Sequence, residues 1–285
     1  MVYRIRIFSS FCDSKHCKDV YERLCETSTM WNYGEDKEIF ITTGDDFTHA
    51  IIINTAMPRI SHIPKNNVIG FAFEPLIFLG LTDNFIRYAQ KYIGKYFIGD
   101  KSNYPDPFIE RFAHMWHTPA LSYVPDKNKF MSIMVSEKTA QQGHMYRHTL
   151  IKKILETDLQ IDIYGRGAKY FEYLMDSRVK GKFDGKEPYE NYQFHICIEN
   201  TKSNHYFSEK ITDALICGTT PIYWGCRNID MYFPGNLLVL SGDVEKDIEL
   251  LKKIQSNPEN YRKKIDVEYV KNKMYLLRNI KDLYK

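Results

Sequence analysis

Apolar residues in this chain gather in short runs between polar stretches. The runs Tyr3 to Phe11, Glu38 to Thr43, His49 to Asn54, Asn67 to Phe73 and Tyr92 to Gly99 have the length and the β-branched and aromatic content of strands. Between some of them the spacing turns helical, around Lys18 to Thr27 and Thr82 to Lys91. Strands alternating with helices predict an open parallel α/β sheet, so this half reads as a Rossmann-like domain.

From about Tyr104 to Lys129 the pattern breaks into YPDPF, HTP and VPDKNK, a Pro-punctuated stretch that suits an interdomain crossing. A second α/β series follows: strand Phe130 to Val135, helix Met145 to Glu156, strand Ile161 to Tyr164, strand Tyr192 to Glu199, helix Ser208 to Cys217 and strand Pro221 to Tyr223. The tail from Val244 onward is mostly helical. The expected division is residues 1–125 and residues 126–285. Two α/β domains flanking a ligand cleft is a layout shared by binding proteins and dehydrogenases, so it carries no function by itself.

Composition narrows the field. The chain has 285 residues, 44% hydrophobic and 26% charged, which fits a globular protein large enough to bury two cores. Its 39 basic and 36 acidic residues leave a net charge of +3 with no long single-sign run, so no nucleic-acid partner is expected. Six cysteines (Cys12, Cys17, Cys25, Cys197, Cys217 and Cys226) contain no CxxC pair and read as reduced thiols. With no apolar stretch long enough to span a bilayer and no leader-like start, the expectation is an unanchored, cytoplasmic chain.

The most informative segment is YQFHICIENTKSNHYFSEKITDALICGTTPIYWG, Tyr192 to Gly225. Its apolar run ends in Glu199 and Asn200, placing polar side chains at the carboxyl end of a parallel strand, where open α/β sheets bind ligands. Ser208 then suits a helix N-cap, with Glu209 and Lys210 in a first turn whose free backbone NH groups favour an anion. In a functional reading Lys210 and the helix start hold a diphosphate while Glu209 or Asn200 bonds hydroxyls of a ribose or sugar. The bland alternative is a capped helix with a solvated first turn.

This segment resembles, almost position for position, the donor-binding motif of the glycosyltransferase family 10 fucosyltransferases, through Phe194, Glu199, Asn200, Thr201, Tyr206, Ser208, Glu209, Lys210, Ala214, Pro221 and Gly225. His205 departs from it, since many members carry Asp or Gly before the Tyr. The resemblance implies a GT-B fold, two Rossmann-like domains facing each other across a cleft. It also implies a GDP-sugar donor, usually GDP-L-fucose, and inverting transfer to a hydroxyl of an acceptor glycan. Asn200, Tyr206, Glu209 and Lys210 would then line the donor. MYRHTLIKKIL resembles the family's Arg-bearing helix start, which would put Arg147 on the diphosphate; a solvated Arg on an amphipathic helix is the alternative. IDIYGRG resembles another family segment and adds Arg166, which alternatively pairs locally. GFAFEPLIFLG resembles the segment whose strand ends at the general base, here Glu74; a solvated turn Glu is its alternative.

An inverting transfer needs one base on the acceptor side and cationic or dipolar groups on the leaving diphosphate. No Asp-x-Asp pair is present, Asp45 and Asp46 being adjacent, and His114 and His117 lack an evident partner ligand, so no metal or other cofactor is expected. Two rivals stay open: a relative using a different sugar nucleotide, and a non-catalytic nucleotide-sugar-binding protein in which Glu74 is idle.

Overall fold

A computed structural model describes residues 2–285. The chain forms two compact units. The first takes in the chain up to Pro119 together with Ser203–Tyr206 and Asn272–Lys285; the second comprises Ala120–Lys202 and Phe207–Lys271.

The first unit holds β1 (Tyr3–Ser9), α1 (Ser14–Leu24), β2 (Ile39–Ile41), β3 (His49–Ile53), β4 (Val68–Phe71), α2 (Leu76–Leu79), α3 (Asp83–Tyr92), β5 (Lys95–Ile98) and β6 (Phe108–Glu110). All six strands run parallel in the order β2-β1-β3-β4-β5-β6. β3 and β4 are buried along their whole length, as strands covered on both faces must be. One strand lies where the sequence predicts only a crossing: β6 falls inside the Pro-punctuated stretch. Pro105 and Pro107 precede it, and as an edge strand it needs ladder hydrogen bonds on one side alone, so the missing donors cost little.

The second unit holds β7 (Lys129–Met134), α4 (Gln142–Leu155), β8 (Ile161–Tyr164), β9 (Val179–Gly181), β10 (Tyr192–Ile198), α5 (Glu209–Ile216), β11 (Thr220–Trp224), β12 (Leu238–Val239) and α6 (Val244–Ser256). Its sheet is again fully parallel, in the order β12-β11-β10-β7-β8-β9. Isoleucines and aromatics of β7, β8 and β10 pack against Leu150, Ile151 and Ile154 of α4 and Leu251 and Ile254 of α6, forming one core. Because β10 lies beside β7 rather than β9, the order reverses there. That reversal is the topological switch point where such sheets open a crevice at their carboxyl edge.

α7 (Val267–Met274) and α8 (Leu276–Tyr284) close the chain. The sequence groups this tail with the second domain. In the structure residues 272–285 lie on the first unit, where Leu276, Leu277, Ile280 and Leu283 of α8 are buried. The Tyr284 hydroxyl donates to the carbonyl of Ala50 at 3.0 Å, and Lys95 Nζ donates to that of Leu283 at 3.4 Å.

Candidate active site in the second unit

The carboxyl ends of β7, β8 and β10 open into a cavity of about 350 Å³. α4 follows β7 and α5 follows the loop after β10, so the amino-terminal turns of both helices border it. Four cationic side chains line the cavity: Lys138, Arg147, Arg166 and Lys210. Asn200, Glu209 and His144 line it too. Two helix N-termini and four cations around one cavity describe a site for a multiply charged anion.

The loop from β10 to α5 is held by a buried carboxylate. None of the Glu199 side chain is exposed. It accepts hydrogen bonds from Ser208 N at 2.8 Å and Ser208 Oγ at 2.7 Å, and Lys210 Nζ stands 3.6 Å away. Burial raises the proton affinity of Glu199, with Lys210 opposing. Ser208 is the N-cap of α5, as the sequence predicts, and its Oγ also accepts from Lys210 Nζ at 2.9 Å. The expectation that Glu199 presents its side chain at the mouth of the site is corrected: Asn200 lines the cavity, while Glu199 points into the protein and braces the loop. Gly225 makes room for it, since a Cβ there would lie 2.4 Å from Glu199 Cγ.

The start of α4 is fastened to the same loop. Gly143 N donates to the carbonyl of Asn200 at 2.9 Å, and a Cβ on Gly143 would fall 1.8 Å from the carbonyl oxygen of Glu199. Only glycine permits that approach. One turn on, Arg147 is 5% exposed and donates from Nη2 to the carbonyl of Ile198, the last residue of β10. A solvated Arg on an amphipathic helix is thereby overturned. Burial lowers its proton affinity against the pull of Glu199 and Glu209, yet a guanidinium keeps its charge.

Lys210 pairs with Glu209 at 2.9 Å. Burial pushes its proton affinity down, but the carboxylates of Glu209 and Glu199 outweigh this and hold it above the ordinary lysine value. Glu209 is likewise opposed by burial, and Lys210 carries it below the usual carboxylate range. Its side chain is 46% exposed, and its Oε1 accepts from Lys210 Nζ. Arg166, two residues after the end of β8, is exposed and lines the cavity.

His144 is a cavity residue that no motif singled out. It is 4% exposed, Asn200 is its hydrogen-bonding neighbour, and its Nδ1 is buried without a partner. Burial, then Arg147, lower its proton affinity, with Asn200 opposing. Among the described residues no group of three or more His, Cys, Asp or Glu side chains is placed to hold a metal ion.

Arg147, Arg166, Asn200, Glu209 and Lys210 thus come together. The other two expected site residues lie in the first unit and do not line this cavity. Tyr206 is buried there against Gly99, where an added Cβ would lie 3.0 Å from Tyr206 Cβ. Glu74 is exposed, three residues beyond the carboxyl end of β4. The approach to it is anchored by Asn54, whose Oδ1 accepts from Phe73 N at 2.8 Å and whose own N donates to the carbonyl of Phe71 at 2.8 Å.

Comparison with known proteins agrees with this geometry. Residues 124–271 match the family described as glycosyltransferase family 10 (fucosyltransferase) C-term. A zebrafish (Danio rerio) GDP-fucose protein O-fucosyltransferase 3 is 24% identical over 229 residues, covering 77% of this chain and 48% of the relative. A bovine (Bos taurus) 4-galactosyl-N-acetylglucosaminide 3-alpha-L-fucosyltransferase 9 is 25% identical over 160 residues, covering 55% and 38%. The chain therefore spans less than half the length of these curated relatives. A solved alpha1,3-fucosyltransferase with GDP-fucose superimposes with a TM-score of 0.52 at 12% identity, covering 100% of this chain and 90% of that one. The fold is of the GT-B type, and the match over more than half of its residues shows that the chain belongs to glycosyltransferase family 10, the fucosyltransferase family.

Proposed function

We propose that the chain transfers a fucosyl group from GDP-fucose to a hydroxyl of an acceptor glycan, with inversion at the anomeric carbon. The observation that carries this reading is the convergence of the α4 and α5 N-termini with Arg147, Arg166 and Lys210 on one cavity at the switch point of a parallel sheet. Such a cavity matches a nucleoside diphosphate, whose charge increases as the glycosidic bond breaks. Glu209 and Asn200 take hydroxyl groups of the ribose or sugar.

The acceptor hydroxyl gives its proton to the carboxylate of Glu74 as its oxygen attacks the anomeric carbon from the face opposite the leaving group. The bond from that carbon to the diphosphate oxygen breaks, and the electron pair leaves on GDP. Lys210 and Arg147, with the two helix dipoles, hold the charge that develops. These cations do the work that a divalent ion does elsewhere, so the reaction as proposed needs no metal.

The test is a donor screen. Purified protein is incubated with an acceptor glycan and GDP-fucose, GDP-mannose, UDP-glucose or UDP-GlcNAc, with and without EDTA, and nucleoside diphosphate release is followed. Release from GDP-fucose alone, unchanged by EDTA and lost in Glu74→Gln and Lys210→Ala, supports the proposal. Release from another donor keeps the mechanism and changes the sugar. Binding without turnover for every donor overturns the catalytic reading in favour of a nucleotide-sugar-binding protein.

A further inference from the structure

Phe183 stands out among the residues lining the cavity. The other aromatic rings there, Tyr189, His195 and His144, are only 2%, 2% and 4% exposed. Phe183 is 37% exposed, an open aromatic ring on the wall of a cavity that four cationic side chains also line. It follows β9 by two residues, and its ring meets that of Tyr164, the last residue of β8, at 6.3 Å and an interplanar angle of 81°. Tyr164 is itself fixed. Its hydroxyl lies 2.8 Å from that of Tyr192, which donates to Asp162 at 2.6 Å. An apolar ring held on a rigid support and left open toward a cavity is a stacking platform for a planar ligand group.

The strand order says which group. The amino-terminal turns of α4 and α5, with Arg147 and Lys210, stand over β7 and β10. Phe183 stands over β8 and β9, the next strands along the same carboxyl edge. Neighbouring strands are about 4.8 Å apart, so the platform lies roughly 7 to 12 Å from the midpoint between β7 and β10. That is the reach from the diphosphate of a nucleotide to its base. Glu209 and Asn200 carry no planar apolar surface, and no second exposed aromatic ring lines the cavity among the described residues.

We infer that Phe183 is the nucleobase platform of this site: a nucleoside diphosphate lies along the carboxyl edge with its phosphates at the α4 and α5 starts and its base stacked on the Phe183 ring. The inference rests on the donor-site reading above and adds the residue that distinguishes a nucleotide from a bare polyphosphate. Stacking is tolerant of base identity, so the platform sets affinity for nucleotides as a class, and discrimination among bases falls to polar groups around it.

The experiment compares two probes on the full chain by titration calorimetry, GDP and inorganic pyrophosphate, for wild type, Phe183→Ala, Phe183→Leu and Phe183→Trp. Loss of one base–aromatic stack weakens binding by between about 5-fold and 160-fold. The expected result is therefore a GDP affinity reduced in that range by Phe183→Ala and Phe183→Leu and restored by Phe183→Trp, with pyrophosphate binding the same in all four proteins. Phe183→Leu keeps an apolar side chain of similar size and carries the test should the alanine variant not fold. GDP binding unchanged in both variants, or GDP and pyrophosphate weakened together, overturns the platform while leaving the donor site standing. Wild-type protein that binds pyrophosphate but gains nothing from the nucleoside also overturns it. Wild-type protein that binds neither probe sinks the donor reading as well.

Discussion

The carboxylate of Glu199 accepts two hydrogen bonds from Ser208, at 2.8 Å from the backbone nitrogen and 2.7 Å from Oγ, with no part of the Glu199 side chain exposed. This contact couples the end of β10 to the first turn of α5 and so decides where Lys210 and Glu209 stand. Glu199→Ala leaves the buried Ser208 donors without an acceptor and should cost about 2 to 4 kcal/mol of stability. Glu199→Gln keeps one acceptor and should cost about 1 kcal/mol. Urea denaturation of the two variants measures both; equal stabilities would mean that the brace is not electrostatic.

Gly143 makes a second, steric prediction. Gly143→Ala drives a methyl group into the carbonyl oxygen of Glu199, which neighbouring backbone cannot evade, and should cost about 3 kcal/mol. Met145→Ala, two residues along the same helix at a 55% exposed position, should change stability by less than about 0.5 kcal/mol. Donor affinity should fall in the first variant and hold in the second. Similar melting temperatures for the two would show that the start of α4 is looser than described.

The proposed division of labour separates in the kinetics. Glu74→Gln should lower kcat by about 10²- to 10⁴-fold and leave GDP affinity unchanged, as loss of a general base does. Lys210→Ala should lower kcat by about 10²- to 10³-fold and weaken GDP binding too, because it removes a cation from the leaving group. A Glu74→Gln enzyme with full turnover would require another base.

The buried histidines set the response to acid. Burial lowers His49 and His117 to about 4 and His114 and His195 to about 3, against 6.5 for an unfolded chain. Below pH 6.5 the unfolded chain takes up protons that the folded chain refuses, so stability is full above that value and declines as the pH falls toward 4 and 3. At pH 5.5 each histidine should have cost on the order of 1 kcal/mol. Denaturation at pH 7.5 and 5.5 measures the sum. His195→Asn should flatten the decline within the second unit, and an unchanged slope would show that this ring titrates freely.

Much of this site was open to reading from residues alone, for a physical reason. Asn200, Glu209 and Lys210 follow an apolar run by a length that must place them at a strand end and a helix start, and the motif around them is long. Burial was not readable in that way. Glu199 and Asn200 are adjacent polar residues at the same strand end, and only the packing of Ser208 and Gly225 turns one inward and leaves the other in the cavity. The first turn of α4 escaped because Gln142, Gly143 and His144 carry no apolar stripe; the helical periodicity begins at Met145. The strands missed, β6, β9 and β12, are edge or near-edge strands of two or three residues, too short to show alternation. Phe183 was hidden for the opposite reason, since a lone aromatic residue in a polar turn looks like any other until the cavity beside it is known.

The return of residues 272–285 to the first unit bears on the order in which the protein is made. The β-strands of the first sheet leave the ribosome early, yet the helix that covers Ala50 and Lys95 is synthesised only after the entire second unit. The second unit can collapse around a nearly continuous stretch of chain, whereas the first must hold an apolar face open until α8 arrives. During synthesis that waiting face is the surface most exposed to wrong partners, so the half of the molecule that is born first is the half that is finished last.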